Sequence, residues 1–133
     1  MLNVPIKTTG NESPAHQRAK LRLLSIVRAM GMIADVEIRT GTTKTALGER
    51  NFTADIFAFW TNIRTGITKK IIFEVRGYKG HNSKRQIARD TNRDNAHKEK
   101  GIKTVRIDMK DLVGKKKQPT SIIEEEINWQ LSI

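Results

Sequence analysis

The spacing of apolar residues predicts a helix near the start of the chain. Between Pro14 and Met30 the apolar residues recur every three to four positions, as on one face of a helix. Ser13 followed by proline favours a helix start, and Gly31 is the kind of residue at which helices end. The pattern therefore predicts a first helix that ends at Gly31.

A two-residue alternation then predicts strands. Met32–Ile38 alternates apolar with mostly charged positions, whereas Thr40–Arg50 is rich in Gly and Thr and predicts a loop. Phe52–Gly77 contains two apolar runs rich in β-branched and aromatic residues, separated by a polar turn at Thr61–Thr68. Met32–Ile38 and the two apolar runs of Phe52–Gly77 therefore predict three consecutive strands.

The second half predicts a helix, a strand and a final helix. Ser83 and Gln86 have capping-box spacing, which predicts a helix from about residue 83 to Lys100. Lys103–Asp108 alternates as a strand does, and the intervening helix predicts that this strand is parallel to the strand before it. Ser121 begins a second capping box and predicts a helix over 121–131. The order indicates an α/β fold.

Length and composition narrow the class of protein. The 133 residues suit a single domain, 1–133, with its core at about 14–113. The chain has no cysteine, no run of 18 apolar residues and no basic-then-apolar start of the kind that signal peptides have. We therefore expect a cytoplasmic protein without disulfides, thiolate zinc sites or a membrane partner.

The net charge of +11 is concentrated in one segment. Between Arg64 and Lys117 there are 17 Lys and Arg against 6 Asp and Glu, while the rest of the chain has 8 of each. A concentrated basic surface suits a polyanionic partner, and few aromatic residues accompany it, which favours contact with a phosphate backbone. Ordinary solubility charge is the alternative interpretation.

One carboxylate stands in each of the two central apolar runs, Asp55 in the first and Glu74 in the second. A buried, unpaired carboxylate costs several kcal/mol or loses its charge. Two of them on neighbouring strands become tolerable when a divalent cation lies between them, because hard cations prefer oxygen ligands. Arg76 points to the same side of its strand as Glu74, where its charge can meet a phosphate.

Thr-Ala-Asp55 and Glu74-Val75-Arg76, in this order on two strands, resemble the PD-(D/E)xK nuclease superfamily. This chain has Ala before Asp55 where Pro is usual, and Arg76 where Lys is usual. The resemblance implies a restriction-endonuclease-like fold, with an αβββαβ core and a mixed central sheet flanked by helices. It also implies a metal-dependent DNA endonuclease in which Asp55, Glu74 and the Val75 carbonyl hold Mg²⁺ or Mn²⁺.

The resemblance extends to further site residues. Arginine cannot act as a base, so Arg76 is expected to contact the scissile phosphate, and Lys79 can supply an amine from the next loop. Gln86 stands where the superfamily often has a glutamine near the catalytic centre. The run from Gly80-His81 to Arg93-Asp94 resembles very-short-patch-repair nucleases, in which His81 would lie close to the site; Holliday-junction resolvases are a second local resemblance. The residues expected to contact nucleic acid are Lys79, Lys84, Arg85, Arg89 and Arg93.

Simpler interpretations of the same residues remain open. Asp55 and Glu74 can be solvent-facing edge charges with Arg76 in a cross-strand ion pair, and the second helix can be a solvated helix with Asp90–Arg93 and Asp94–Lys98 pairs. The small size favours structure-selective or weakly sequence-specific cleavage by a homodimer. A non-catalytic nucleic-acid-binding protein and an RNA-directed nuclease are the alternatives, since nothing here separates RNA from DNA.

Overall fold

The computed structural model describes residues 13–36, 39–45, 48–77 and 84–133, without the side chains of residues 39–45, 48–53, 84–86 and 89. The predicted alternation of helices and strands is found within these ranges, with one extra pair of strands and one extra short helix. The described helices and strands are α1 (Pro14–Ala29), β1 (Ile33–Val36), β2 (Arg39–Thr45), β3 (Gly48–Thr53), β4 (Ile56–Thr61), β5 (Thr68–Arg76), α2 (Lys84–Glu99), β6 (Ile102–Asp108), α3 (Met109–Leu112) and α4 (Thr120–Ser132).

A mixed four-stranded sheet, in the order β1-β4-β5-β6, forms the centre of the fold. β4 is antiparallel to both β1 and β5. β5 and β6 are parallel, from Lys70↔Ile102 to Arg76↔Asp108, and α2 connects them. This confirms the α/β class, the mixed sheet and the predicted parallel pairing, because only a crossover can join parallel neighbours.

The predicted loop at Thr40–Arg50 is wrong, because its described residues, 40–45 and 48–50, lie in a two-stranded antiparallel sheet of β2 and β3. Its repeated threonines are β-branched and favour extended backbone. The two strands pair with each other, ending at Thr45↔Gly48. The next strand is also shorter than predicted: Phe52 belongs to β3, β4 begins at Ile56, and Asp55 lies in the junction between them.

The bounds of α1 and α4 were predicted to within a residue or two, whereas the capping box predicted for α4 is wrong. Ser13 caps α1, where its Oγ accepts a hydrogen bond from the His16 N–H, and Gly31 follows the helix with φ +93°. The capping box at Ser121 is absent, because α4 begins one residue earlier with Pro119 as its cap. The Pro119 carbonyl accepts from the Ile122 and Ile123 amides, so the proline fixes the start of the helix.

The two faces of the sheet are buried differently. One face packs against α1, α3 and α4 in a large apolar cluster, in which Leu23, Phe73 and Ile127 are fully buried. The other face carries a small cluster that includes Phe57 and Ile72. Helices therefore flank the sheet as predicted, and none of the described helices has the length and apolar content to cross a membrane.

Candidate active site

The structure places Asp55 and Glu74 side by side, although they are nineteen positions apart in the sequence. Ile56 pairs with Phe73 across β4 and β5, so Asp55 lies opposite Glu74 just beyond this pair. Asp55 Oδ2 accepts a hydrogen bond of 2.9 Å from the Val75 N–H. The two side chains are only 25% and 15% exposed, which rules out the interpretation that they are solvent-facing edge charges.

His16 lies against Asp55, a contact that the sequence did not predict. Its Nε2 is 3.8 Å from Asp55 Oδ2 and 3.2 Å from the Val75 carbonyl oxygen. A carbonyl oxygen only accepts, so in this arrangement Nε2–H donates to it. The residue belongs to the first turn of α1, and its position three residues after the Ser13 cap was the available signal. Sequence alone does not say which strand end a helix start will contact.

Glu74 is surrounded by arginines. Its Oε2 accepts from Arg93 Nη2 at 2.8 Å and lies 3.3 Å from Arg106 Nε. Arg93 also contacts Asp90 at 3.2 Å, which confirms the predicted Asp90–Arg93 pair. Helix α2 and strand β6 therefore each bring one guanidinium to the same carboxylate oxygen.

Arg106 is a second residue that the sequence analysis missed. It forms a bidentate pair with Asp94, with N–O distances of 2.6 and 2.7 Å. Asp94 therefore pairs with Arg106 of β6, whereas the simpler interpretation paired it with Lys98. The Gln130 side chain brackets the Arg106 backbone, accepting from its N–H at 3.0 Å and donating to its carbonyl at 2.8 Å. The strand alternates polar with apolar residues, so Arg106 did not stand out in the sequence, and its partners follow only from the parallel register and from the packing of α2 and α4 on β6.

Burial and charge act in opposite directions on Glu74. Removal from water raises the pKa of Glu74, and Arg93 and Arg106 partly offset this rise, while the neighbouring Asp55 adds to it. The net direction is upward from the ordinary value. Glu74 therefore occupies a position that disfavours its charged form, which is a common property of functional groups.

The other predicted site residues have mixed outcomes. Arg76 pairs with Asp108 at 3.9 Å, the cross-strand ion pair that the sequence left open. Lys79 and His81 lie outside the described residues. Gln86, Lys84, Arg85 and Arg89 lie on α2, and their side chains are outside the described part of the chain, so their predicted roles stay predictions.

The metal that the resemblance implies finds a partial donor set. Among the described residues, no three His, Asp or Glu side chains form a group that could hold a metal ion. Asp55 Oδ2 and the Val75 carbonyl oxygen are nevertheless close to each other, because both lie near the His16 Nε2 atom, at 3.8 Å and 3.2 Å. Carboxylate and carbonyl oxygens are the ligand types that a hard divalent cation takes.

Comparison with protein-family models finds no match for this chain, and comparison with curated proteins finds none either. The geometry of the site and the distribution of charge are therefore the observations that bear on function.

Proposed function

We propose that the chain is a metal-dependent DNA endonuclease with a restriction-endonuclease-like architecture. The observation that carries the proposal is the adjacency of Asp55 and Glu74, two poorly exposed carboxylates, one just before β4 and the other on its antiparallel neighbour β5. Such a pair is costly for folding, and a nuclease site gives it a use. The concentration of basic residues in the segment that contains Glu74 supports a polyanionic substrate.

The residues take the following roles in this proposal. The Asp55 carboxylate and the Val75 carbonyl would hold Mg²⁺ or Mn²⁺, and the Val75 N–H keeps Asp55 oriented. When bound, the ion supplies an acidified water and neutralises charge on the phosphate. His16 keeps the Val75 carbonyl turned towards Asp55. When substrate binds, Glu74 gives up one of its two arginine contacts, and its carboxylate turns towards the metal site.

The arginines provide the positive charge that the missing lysine of the motif would have provided. Arg93 and Arg106 meet at Glu74 Oε2, next to the carboxylate pair. A phosphate that enters the site gives Arg93 a new anionic partner, with bidentate geometry available to a guanidinium. Arg106 is held more firmly, because Asp94 grips it with two bonds. Arg93 is therefore the residue that moves to substrate, and Arg106 stays.

We further propose that the enzyme is a homodimer that cleaves DNA by structure or with weak sequence preference. A single domain of 133 residues has little surface for a separate sequence-reading module. A dimer would engage two strands at once. Chromatography with light scattering on the DNA complex tests this part, and a monomer bound to DNA would overturn it.

A second candidate function has its own support. The contacts of Glu74 with two arginines make the carboxylate look like part of a structural ion-pair network. On this account the chain is a non-catalytic nucleic-acid-binding protein that retains a nuclease fold. It would bind nucleic acid in a salt-dependent way and without any dependence on a metal.

Cleavage of a panel of labelled nucleic acids separates the two functions. The panel contains duplex, single-stranded, nicked and four-way DNA together with an RNA strand, incubated in Mg²⁺ or Mn²⁺ with wild type or Glu74→Ala. Metal-dependent cleavage of DNA that the variant lacks is the expected result. Binding without cleavage in either metal favours the second function, and preferential RNA cleavage replaces the DNA assignment.

A further inference from the structure

A row of four residues crosses the whole sheet at the end away from the acids. Ile33 pairs with Phe59, Phe59 with Lys70, and Lys70 with Ile102, one residue from each strand. Residues directly opposite one another on neighbouring strands place their side chains on the same face, a few ångström apart. Ile33 is 77% exposed and Phe59 is 37% exposed, and Lys70 is exposed as well.

Phe59 is held on one side and open on the other. The next row on the same face contains Phe57 and Ile72, which are 9% and 0% exposed. The rings of Phe57 and Phe59 meet edge to face with centroids 5.0 Å apart. The buried ring thus fixes the exposed ring, which gives a positioned aromatic surface at little cost in side-chain freedom.

Polar groups border this aromatic surface. Beyond Phe59 and Lys70 on the same face, the hydroxyls of Thr61 and Thr68 are 2.9 Å apart and exposed. An aromatic face beside an ammonium group and hydroxyls matches the chemistry of a nucleotide, which has a flat base and a charged phosphate. We name Ile33, Phe59, Thr61, Thr68 and Lys70 the sheet-end patch.

The sheet-end patch lies on the same face of the sheet as the acid site. Glu74 and Lys70 are four residues apart on β5, so alternation places them on one face, about 13 Å apart. That distance corresponds to about four nucleotides at the 3.4 Å spacing of a stacked strand. A nucleic-acid strand whose phosphate lies at the acids can therefore place a base about four nucleotides away on the patch.

We propose that the sheet-end patch binds an unpaired nucleotide, whose base stacks on Phe59 and whose phosphate contacts Lys70. The proposal rests on the proposed action on nucleic acid, but it does not require cleavage. A second copy of the chain is the less favourable occupant. A two-fold interface is self-complementary, so it would bring the central Lys70 of each copy towards its twin.

The test measures the affinity of a fluorescent oligothymidylate in EDTA, where no cleavage occurs. Phe59→Leu keeps an apolar side chain but removes the aromatic face, and it should weaken binding by about 5- to 100-fold. Phe59→Trp should restore the affinity. Trp129→Leu is the matched control, because Trp129 is another exposed aromatic residue, on α4, and its loss should leave the affinity unchanged. Circular dichroism confirms that each variant is folded.

Three outcomes would overturn the proposal. Wild-type affinity in Phe59→Leu would show that no base stacks there, and a shift of that variant from dimer to monomer with unchanged DNA affinity would assign the patch to a second copy. Lys70→Ala should also lower the slope of log affinity against log salt by about 0.7. The affinity for a blunt duplex should be the same in Phe59→Leu as in wild type. If duplex affinity fell as much as oligothymidylate affinity, the patch would have no preference for unpaired nucleotides.

The result is separable from the fate of the nuclease proposal. A chain that never cleaves in Mg²⁺ or Mn²⁺ but loses oligothymidylate binding in Phe59→Leu retains the patch and loses only the nuclease. A chain that cleaves normally and binds equally well in Phe59→Leu retains the nuclease and loses only the patch.

Discussion

Asp55 and Glu74 are neighbours, yet their surroundings differ in kind. Asp55 is held by a backbone N–H and lies beside His16, a residue of α1. Glu74 is held by guanidinium groups from α2 and β6. One carboxylate is oriented by a backbone N–H and lies beside an imidazole, and the other is bound by two guanidinium groups.

This difference assigns different tasks to the two sides of the site. A group oriented by the backbone is ready to bind a cation without rearrangement, which is the geometry expected of a permanent ligand. A carboxylate bound to arginines must first lose one of them. We infer that the Asp55 side is preformed, and that the Glu74 side responds to substrate. The predictions below test this division, beginning with the largest expected effect.

Asp55→Asn should reduce cleavage by about a thousandfold or more, because it removes the preformed anionic ligand. Asparagine keeps an oxygen that can accept from the Val75 N–H, so the fold and DNA binding should persist. Single-turnover cleavage and DNA affinity are the measurements. Asp35→Asn, an exposed acid on β1, is the control and should cleave normally. Retained cleavage in Asp55→Asn would eliminate the site.

Arg106→Gln should destabilise the fold by about 3 kcal/mol, since it leaves Asp94 and Glu74 without a partner on β6. The Arg106 side chain is only 14% exposed. Arg76→Gln removes a half-exposed pair with Asp108 and should cost less than about 1 kcal/mol. Urea unfolding measures both. Equal losses would mean that Arg106 does not anchor the Glu74 side.

His16→Ala should raise the Mn²⁺ concentration needed for half-maximal cleavage by about tenfold, because the Val75 carbonyl loses the donor that orients it. His16→Gln retains an N–H donor on a side chain of similar reach and should recover part of the loss. The dependence of rate on Mn²⁺ concentration is the measurement. An unchanged half-saturation in His16→Ala would show that the histidine only packs against the strand end.

Glu74→Gln should change stability least and in an unusual direction. Burial raises the pKa of Glu74, so ionisation of this group favours the unfolded chain. Below the ordinary pKa of 4.5 the group costs the fold nothing, and as the pH rises above that value the wild-type fold loses stability. Relative to wild type, the variant should be equal at pH 4 and equal or up to about 1 kcal/mol more stable at pH 7. Urea midpoints at the two pH values test this.

A clear loss of stability in Glu74→Gln at pH 7 would reverse the interpretation of that side. It would mean that the bonds to Arg93 and Arg106 outweigh the cost of burying the charge. Glu74 would then be a structural ion-pair residue, as the non-catalytic function requires.

The order of elements could be predicted from the sequence because periodicity and helix-end residues act locally. Ser13 caps α1 as its sequence context indicated, and the crossover made β5 and β6 parallel. The pairing of β2 with β3 was not predicted, because the two strands pair only with each other in the described sheets and their sequences do not alternate apolar with polar residues. At Ser121, Pro119 determined the helix start in place of the capping box.

The two acids of the site could be predicted from the sequence, but the residues that surround them could not. Asp55 and Glu74 stood out because charges are costly in apolar strands. His16 and Arg106 depend on how α1 overlies the sheet and on the register of β6, which are tertiary properties. Arg76 was assigned to substrate on sequence order, and this role stays a prediction; the register places it opposite Asp108.

Electron paramagnetic resonance of Mn²⁺ with the purified chain tests the central claim most directly. The aqueous Mn²⁺ signal reports how much ion remains free. The account predicts that wild type binds one Mn²⁺ per chain, that Asp55→Asn binds none, and that Glu74→Gln binds it more weakly. Wild type that leaves the Mn²⁺ signal unchanged, even with a non-cleavable DNA bound, would contradict the account and leave a nucleic-acid-binding protein.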